Sequence, residues 1–254
     1  GIYMSRFFIS DEDIFESTII IKGEDVNHIK NVIRYQVGDM LVLSNGKGTD
    51  FKVRIDNLEQ GRIITKIEDI SKNRTEPPLD IILFQGIPKG DKMDFIIQKS
   101  VELGAKKIVP VITERTVLRF NSEKDKVKKA SRWQKIALEA AKQCNRGTVP
   151  GVDAPISSKD AVKLFGRLDF TLIPYEKERY LTLASFISNI KLNKIKTKTV
   201  GFFIGPEGGF SEEEIAGAVS FGGTTVTLGP RILRTETAGL AVLAILMYEL
   251  GDVG

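Results

Sequence analysis

Two glycine-proline segments near the end of the chain have residue types and spacing that point to chemistry. The first reads Gly-Pro-Glu-Gly-Gly-Phe-Ser over residues 205–211, and the second reads Leu-Gly-Pro-Arg-Ile-Leu-Arg-Thr-Glu-Thr-Ala over residues 228–238. Glycine lets the backbone approach a ligand closely, and proline stiffens a turn. Each segment lies between a predicted strand and a predicted helix, where open parallel sheets bind ligands. We therefore expect exposed backbone amides and carbonyls that grip a small molecule.

The chain has one histidine, His28, and one cysteine, Cys144, and this scarcity excludes several classes of mechanism. A zinc site built from histidine and cysteine would lack ligands, and a single cysteine forms no internal disulfide. Neither the dinucleotide fingerprint nor the phosphate-loop motif is present, which disfavours a dinucleotide enzyme and an NTPase. We expect no metal and a chemistry that uses carboxylates, arginines, backbone groups or a bound cofactor.

The net charge of +4 is unevenly distributed along the 254 residues. Residues 71–150 carry a net charge of +8, against −3 for residues 1–70 and −1 for residues 151–254. A basic central third suits a polyanion such as RNA, although a solvated lysine-rich helix face at residues 123–129 would explain the excess equally well. The sequence shows no secretory signal and no apolar run of the ~20 residues that a membrane span needs. We expect a cytoplasmic protein that binds no membrane.

The first part of the chain is predicted to be a small β domain. Short apolar runs alternate with turn signals, including the Asn-Gly pair at residues 45–46, and residues 24–35 show helical spacing. Several short strands in so few residues favour a small barrel. The polar segment ending in Pro77-Pro78 is the best linker candidate. We place the domains at residues 1–72 and 73–254.

The rest of the chain is predicted to be an α/β domain. Apolar strands at residues 81–85, 108–112, 169–173, 200–204 and 224–228 alternate with helices at 92–103, 131–144, 181–190, 212–221 and 235–250. Strands that are apolar throughout indicate a parallel sheet covered on both faces. Ser211 with Glu214 predicts a capping box, Phe210 with Ile215 a hydrophobic staple, and Thr235 the cap of the last helix. That last helix is apolar all round, which indicates burial, either in the core or against a second copy of the protein.

The two glycine-proline segments resemble the paired cofactor loops of the SPOUT methyltransferases. More narrowly, nearly the whole chain resembles the ribosomal RNA small subunit methyltransferase E family, which methylates N3 of a uridine in 16S ribosomal RNA. Further matching segments are residues 6–8, 28–34, 89–104, 114–117 and 132–143. The chain departs from the family pattern at residues 143–146, Gln-Cys-Asn-Arg, where a serine-glycine pair more often precedes the arginine.

The resemblance implies a PUA-like barrel followed by a SPOUT domain whose parallel sheet ends in a trefoil knot. It also implies S-adenosylmethionine as cofactor, a homodimer as the active form, and 16S rRNA or the small ribosomal subunit as partner. The residues that the resemblance assigns to the cofactor are Ile173, Pro174, Ile204, Gly205, Pro206, Glu207, Gly208, Leu228, Gly229, Ile232, Leu233, Arg234, Thr237 and Ala238. The loop that continues through Tyr175 and Glu176 is expected to close the pocket.

Uracil N3 is mostly protonated at neutral pH, so some group must take its proton or stabilise the resulting anion. Arg234 or Arg231 would stabilise the anion by charge. Glu207 is the candidate base, with a structural carboxylate at a helix start as the alternative. The proposed phosphate contacts are Arg6, Arg34, Lys89, Lys92, Arg115 and Arg146. Two other functions stay open: methylation of a ribose 2′-oxygen or another base, and a non-catalytic RNA-binding assembly factor.

Overall fold

The structure is a computed structural model that describes residues 4–253 of the chain. These residues form two compact units. The first unit runs to Glu76 and also includes Ala141–Val149, and the second comprises Pro77–Ala140 and the chain from Pro150 onward. Residues 141–149 therefore pack in the first unit, although the sequence analysis placed them with the second domain. The assignment of residues 141–149 to the first unit depends on contacts between distant parts of the chain, so no local sequence pattern could predict it.

The first unit is built on a six-stranded, mostly antiparallel sheet with the order β1-β4-β5-β6-β3-β2. Register shifts in the pairing of the two longest strands indicate bulges, which bend a sheet. The inward side chains, among them Ile19, Leu41 and Val53, are fully buried in one apolar core. The strands are β1 Arg6–Phe8, β2 Ile14–Phe15, β3 Thr18–Lys22, β4 Met40–Ser44, β5 Thr49–Glu59 and β6 Arg62–Lys72. The curled sheet agrees with the small β domain that the sequence predicted.

One helical segment lies between β3 and β4. It begins as an α-helix, α1, over Glu24–Asn27 and continues with π-helical geometry over His28–Ile33. Among the apolar residues of the helix predicted over residues 24–35, Val26 and Ile29 are buried, but Val32 is 63% exposed. The wider π turn rotates Val32 out of the apolar face, which a constant 3.6-residue period cannot anticipate. The segment ends at Arg34, which has a left-handed φ of 63°.

The second unit is an α/β fold around a parallel sheet, as the sequence predicted. The sheet has the order β10-β8-β7-β12-β11-β13, with β9 paired to β8, and every pairing is parallel. The strands are β7 Asp80–Gly86, β8 Lys107–Ile112, β9 Gly151–Val152, β10 Ile156–Ser157, β11 Phe170–Pro174, β12 Thr199–Ile204 and β13 Gly223–Val226. The trefoil knot that the resemblance implies stays a prediction.

Six α-helices accompany this sheet in the described residues: α2 Lys92–Glu102, α3 Glu123–Gln143, α4 Ser158–Val162, α5 Leu183–Leu192, α6 Glu212–Ser220 and α7 Thr235–Leu250. Helix α3 begins eight residues earlier than predicted, so the lysine-rich stretch is part of it. Helix α7 has the predicted bounds. In a single copy it leaves Ile245 40% and Tyr248 67% exposed, so burial of this face against a second copy stays a prediction. Within residues 4–253, no helix is long and apolar enough to cross a membrane.

Candidate functional site

The two glycine-proline segments meet at the carboxyl ends of the parallel strands. Residues 205–211, called here the Gly205 loop, connect β12 to α6, and residues 227–234, called the Gly229 loop, connect β13 to α7. The hydroxyl of Thr235 donates to the carbonyl oxygen of Gly205 at 2.7 Å and accepts from Nε2 of Gln85 at 2.9 Å. One buried side chain therefore ties the beginning of α7 to the beginning of the Gly205 loop.

Thr235 is consequently not the cap of α7, contrary to the sequence prediction. Arg234 occupies the cap position, without a side-chain hydrogen bond, and Thr235 is the first helical residue. Its hydroxyl is engaged by Gly205 and Gln85 and is not free to cap the helix. A threonine that caps a helix and a threonine that bonds a neighbouring loop look the same in sequence. Only the positions of the neighbouring strands distinguish the two roles.

The Gly205 loop is held by local packing as well. Ser211 and Glu214 form the predicted capping box at the start of α6. Phe210 is buried, and its ring lies 4.5 Å from that of Phe203, measured between centroids. A Cβ added to Gly86 at the end of β7 would lie 2.7 Å from Cδ of Pro206, so only glycine permits this approach. The loop is therefore fixed by its own sequence before any ligand is considered.

A cavity of about 500 Å³ lies between the Gly229 loop and the segment that follows β11. Six of the predicted cofactor residues line this cavity, namely Pro174, Leu228, Gly229, Ile232, Leu233 and Ala238. Tyr175 and Glu176 line it too, as expected for a closing loop, together with the predicted catalytic residue Arg231. Its volume is within the range of small-molecule sites, which is ~300–1,000 Å³.

The other predicted cofactor residues lie outside the lining of this cavity. Ile173, Ile204, Gly205 and Pro206 are buried where β11 and β12 end, whereas Glu207, Gly208, Arg234 and Thr237 are exposed. Their contact with a cofactor stays a prediction. Sequence reasoning missed four lining residues, which are Lys177, Arg179, Thr227 and Pro230. Only their position in the sequence could have indicated them, because they are adjacent to the loop residues that were predicted.

Glu207 is held by the turn that precedes α2. Its carboxylate accepts from Nζ of Lys92 at 2.7 Å and from the backbone N–H of Lys89 at 3.2 Å. Partial burial alone would raise the pKa of the Glu207 carboxyl, but the hydrogen bonds from Lys92 and from the backbone outweigh burial and lower it. The same pair raises the pKa of the Lys92 ammonium. A carboxylate with a lowered pKa is a weaker base, so the geometry favours the structural role for Glu207 over the catalytic one.

Arg115 holds the same loop from another side. Its guanidinium donates to the carbonyl oxygen of Gly208 at 2.7 Å. A Cβ added to Gly208 would lie 3.0 Å from Cβ of Arg115, so the arginine stem packs closely on the glycine. Lys92 and Arg115, both predicted as phosphate contacts, thus engage the Gly205 loop in this structure.

The remaining predicted phosphate contacts divide into two groups. In the first unit, Arg6 forms a two-pronged ion pair with Asp50 at 2.6 and 2.8 Å, and Arg146 is paired with Glu76 at 2.8 Å. Their side chains are only 8% and 4% exposed, respectively. Arg34 and Lys89 are exposed. RNA contact stays a prediction for all six residues, but the exposed ones present their charge to solvent.

A second, more apolar cavity of about 380 Å³ adjoins the first and lies along α5 and α7. It shares Thr227, Leu228, Gly229 and Leu233 with the first cavity, and it extends to Ile187 and Ile245. No cluster of three or more possible metal-ligating His, Cys, Asp or Glu side chains occurs within the described residues.

Comparison with known proteins gives a consistent result over both units. A family model of an RNA methyltransferase domain matches residues 75–247, and a model of an RNA methyltransferase PUA domain matches residues 21–68. The ribosomal RNA small subunit methyltransferase E of Bacillus subtilis is 35% identical over 249 residues, which covers 97% of each protein. The crystal structure of the enzyme of the same name from Neisseria gonorrhoeae, bound to S-adenosyl methionine, is 34% identical, with a TM-score of 0.87. That alignment covers 99% of this chain and 100% of the other.

A methyltransferase from Legionella pneumophila, solved in complex with the cofactor SAM, also has a TM-score of 0.87. It is 30% identical, and the alignment covers 99% of this chain and 100% of that one.

Proposed function

The chain belongs to the ribosomal RNA small subunit methyltransferase E family, and on that premise we propose that it transfers the methyl group of S-adenosylmethionine to N3 of a uridine in 16S ribosomal RNA. The observation that supports this proposal most directly is the cavity at the carboxyl ends of β11 and β13, enclosed by the Gly229 loop. This is where a parallel sheet presents backbone groups to a ligand.

The residues around this cavity suit S-adenosylmethionine in their chemistry. Apolar side chains of Leu228, Ile232 and Leu233 offer a surface for the adenine and ribose, next to backbone groups that can bond ring nitrogens. Glu176 supplies a negative charge for the sulfonium and ammonium groups, while Arg179 and Arg231 supply positive charge for the carboxylate. Ile173, Ile204, Gly205, Pro206, Gly208 and Thr237 complete the proposed set around the two loops. When bound, the cofactor supplies an activated methyl group together with its own leaving group.

The protein's role in the reaction is to hold the two reactants in line and to promote the loss of the proton from uracil N3. Holding two reactants in the right geometry removes much of the entropic barrier. Arg231 and Arg234 are exposed and are proposed to stabilise the uracil anion that forms as N3 loses its proton. Glu207 stays a candidate for the base, although its lowered pKa and its hydrogen bonds from Lys89 and Lys92 favour a role in holding the loop.

RNA is proposed to bind through the exposed cations near the site and on the first unit. Arg34 and Lys89 are exposed, and the side chains of Lys92 and Arg115 are partly available to solvent beside the Gly205 loop. Arg6 and Arg146 would reach a phosphate only by giving up their carboxylate partners. The basic central third of the sequence is compatible with this assignment.

We also propose a homodimer in the cytoplasm. The apolar cavity beside α5 and α7 includes Ile245, which is 40% exposed, and Tyr248 on α7 is 67% exposed; together they offer a face that a second copy can cover. Sedimentation analysis should give twice the monomer mass, and Tyr248→Asp should shift the protein to monomer.

The decisive experiment is nucleoside mass spectrometry of ribosomal RNA from cells with and without this protein. Loss of 3-methyluridine in the deletion strain, and its return with the wild-type gene, is the expected result. Loss of a 2′-O-methylated nucleoside or another methylated base would instead support a different methylation. An unchanged nucleoside profile, together with no heat on calorimetric titration with S-adenosylmethionine, would support the non-catalytic assembly factor.

A second experiment assigns the proton acceptor. Glu207→Gln should lower turnover with unchanged cofactor affinity if Glu207 is the base. Turnover that stays at the wild-type level would remove Glu207 from the proton transfer.

Arg234→Ala and Arg231→Ala should each lower turnover by roughly 10²–10³-fold if the residue stabilises the anion.

A further inference from the structure

A single carboxylate, that of Glu178, connects the two walls of the cofactor cavity without lining it. One wall is the segment of residues 175–181, called here the β11 loop, which contributes Tyr175, Glu176, Lys177 and Arg179. The opposite wall is the Gly229 loop, which follows β13. Glu178 is not among the residues that line the cavity; it bonds within the β11 loop and to β13, the strand that leads into the Gly229 loop.

The first oxygen of this carboxylate organises the β11 loop. Oε1 of Glu178 accepts from three successive backbone N–H groups, those of Arg179 at 3.0 Å, Tyr180 at 2.9 Å and Leu181 at 3.2 Å. Successive N–H groups that converge in this way form an anion-binding concavity. Here the loop supplies its own anion, so its backbone is held in a defined shape without help from a ligand.

The second oxygen fastens the loop to the neighbouring strand. Oε2 of Glu178 accepts from the hydroxyl of Thr225 on β13 at 2.8 Å. Two residues further on, the backbone N–H of Thr227 donates to the carbonyl oxygen of Leu181 at 2.8 Å. The Glu178 carboxylate and this backbone bond together set the distance at which the β11 loop lies from the strand that leads into the Gly229 loop.

We propose that Glu178 is a positioning residue that preorganises the cofactor cavity by fixing the spacing of its two walls. This inference rests on the proposed function, because it takes the cavity to be the S-adenosylmethionine site. Preorganisation lowers the entropic cost of ordering loops when a ligand binds, so the loss of Glu178 weakens cofactor affinity while the fold persists. The hydrogen bonds lower the pKa of the Glu178 carboxyl to about 2, led by the N–H of Tyr180 and the hydroxyl of Thr225, so the group is ionised wherever the enzyme works.

The test compares three variants by calorimetric titration with S-adenosylmethionine. Glu178→Ala should raise the Kd roughly tenfold or more and raise the KM for the cofactor, with the KM for RNA unchanged. Glu178→Gln should stay within about threefold of wild type, because its amide oxygen still accepts the three N–H groups and its NH2 can donate to Thr225. Thr225→Val should raise the Kd by an intermediate factor, because it releases the strand but leaves the loop's own hydrogen bonds.

Asp169 provides the matched control. Its Oδ2 accepts from the backbone N–H groups of Lys198 and Thr199, each at 2.7 Å, beside the amino ends of β11 and β12. Asp169→Ala therefore removes a comparable backbone-capping carboxylate at the opposite end of β11. It should lower the melting temperature without changing the Kd for S-adenosylmethionine.

Three results would overturn the proposal: a wild-type Kd in Glu178→Ala, a wild-type Kd in Thr225→Val, or an equal rise in Kd in Asp169→Ala. If Glu178→Ala does not fold, the Thr225→Val and Glu178→Gln titrations still decide the matter. Failure of the proposed function gives a different result, because the wild-type protein would then release no heat with S-adenosylmethionine.

Discussion

The cations of the two units look alike in sequence but have different roles in the structure. Arg6 and Arg146 of the first unit are almost fully buried and paired with carboxylates, whereas Lys92 and Arg115 of the second unit lie at the surface and hold the Gly205 loop. A basic residue in a chain that binds RNA can therefore stabilise the fold, hold a loop or meet a phosphate. Burial distinguishes the first role from the others, because a charge removed from water needs a partner.

The buried pairs of the first unit belong to one network, because Arg6 also donates to the backbone carbonyl oxygen of Arg146 at 3.4 Å. Asp50 accepts from Arg6 and from Nδ2 of Asn73, while Glu76 accepts from Arg146, the backbone of Gly147 and Thr148. This network attaches residues 141–149 to the β unit. By contrast, the Lys92–Glu207 pair of the second unit is about one-third exposed, and water weakens such a pair.

The largest expected effect is on stability, from breaking an ion pair whose cation is buried. Glu76→Ala removes the carboxylate that pairs with the Arg146 guanidinium, which is 4% exposed, and should lower the free energy of unfolding by about 3–5 kcal/mol. Urea denaturation measures this change. Lys163→Ala is the control, because its pair with Asp160 is 61% and 58% exposed, so its loss should lower the free energy of unfolding far less. Equal losses in the two variants would show that burial does not distinguish them.

A smaller loss is expected from crowding the same network. A Cβ added to Gly147 would lie 2.3 Å from Cγ of Asn73, and that amide is held by Asp50 and by Thr75. Gly147→Ala should therefore lower the free energy of unfolding by about 1–3 kcal/mol. Gly151→Ala is the matched control, since a Cβ there has no neighbour within 4 Å. A Gly147→Ala variant as stable as Gly151→Ala would mean that Asn73 and its hydrogen-bond partners move aside for the added methyl group at little cost.

The network also predicts a pH dependence of stability. Burial alone would raise the pKa values of Asp50 and Glu76, but hydrogen bonds from Arg6 and Arg146 outweigh it and lower both. A carboxyl with a lowered folded-state pKa adds stability above its ordinary pKa, near 4, and loses it as the pH falls through the folded value. Stability should therefore decline as the pH falls below about 5. Denaturation curves for Glu76→Gln should show a weaker decline between pH 5 and pH 3, and an identical decline would contradict this role.

The smallest effects on stability are expected at the exposed cations, where the informative measurement is RNA binding. Arg34→Ala and Lys89→Ala should change the free energy of unfolding by less than about 0.5 kcal/mol. Each should lower the slope of log affinity against log salt concentration by roughly 0.7–0.9 if the residue contacts a phosphate. Arg115→Ala tests both roles of that residue. A reduced slope supports phosphate contact, and an unaltered slope with weaker cofactor binding supports the loop-holding role.

Several features of the candidate site follow from local sequence. The capping box of Ser211 and Glu214 and the bounds of α7 were predicted correctly, because each depends on residues within a few positions of one another. The continuous apolar strands predicted the parallel sheet for the same reason. Resemblance to a known family added the cofactor and the reaction, which neither composition nor spacing could have supplied.

Other features depended on residues far apart in the chain. Thr235 was predicted to cap α7, yet its hydroxyl bonds Gly205 and Gln85, which lie 30 and 150 residues away. The ion pairs of Arg6 and Arg146 join residues 44 and 70 positions apart. The sequence alone therefore could not show that these two arginines pair with carboxylates inside the fold. The π turn after α1 and the role of Glu178 were missed because they depend on exact backbone geometry.

By itself, the sequence determined the two architectures and the position of the glycine-proline loops, because these follow from residue type and short-range period. Only the tertiary structure decided which polar groups face each other. A charged side chain stabilises the fold, shapes a loop or stays available for a ligand according to its burial and its hydrogen-bond or ion-pair partners. Both are set when distant segments pack together.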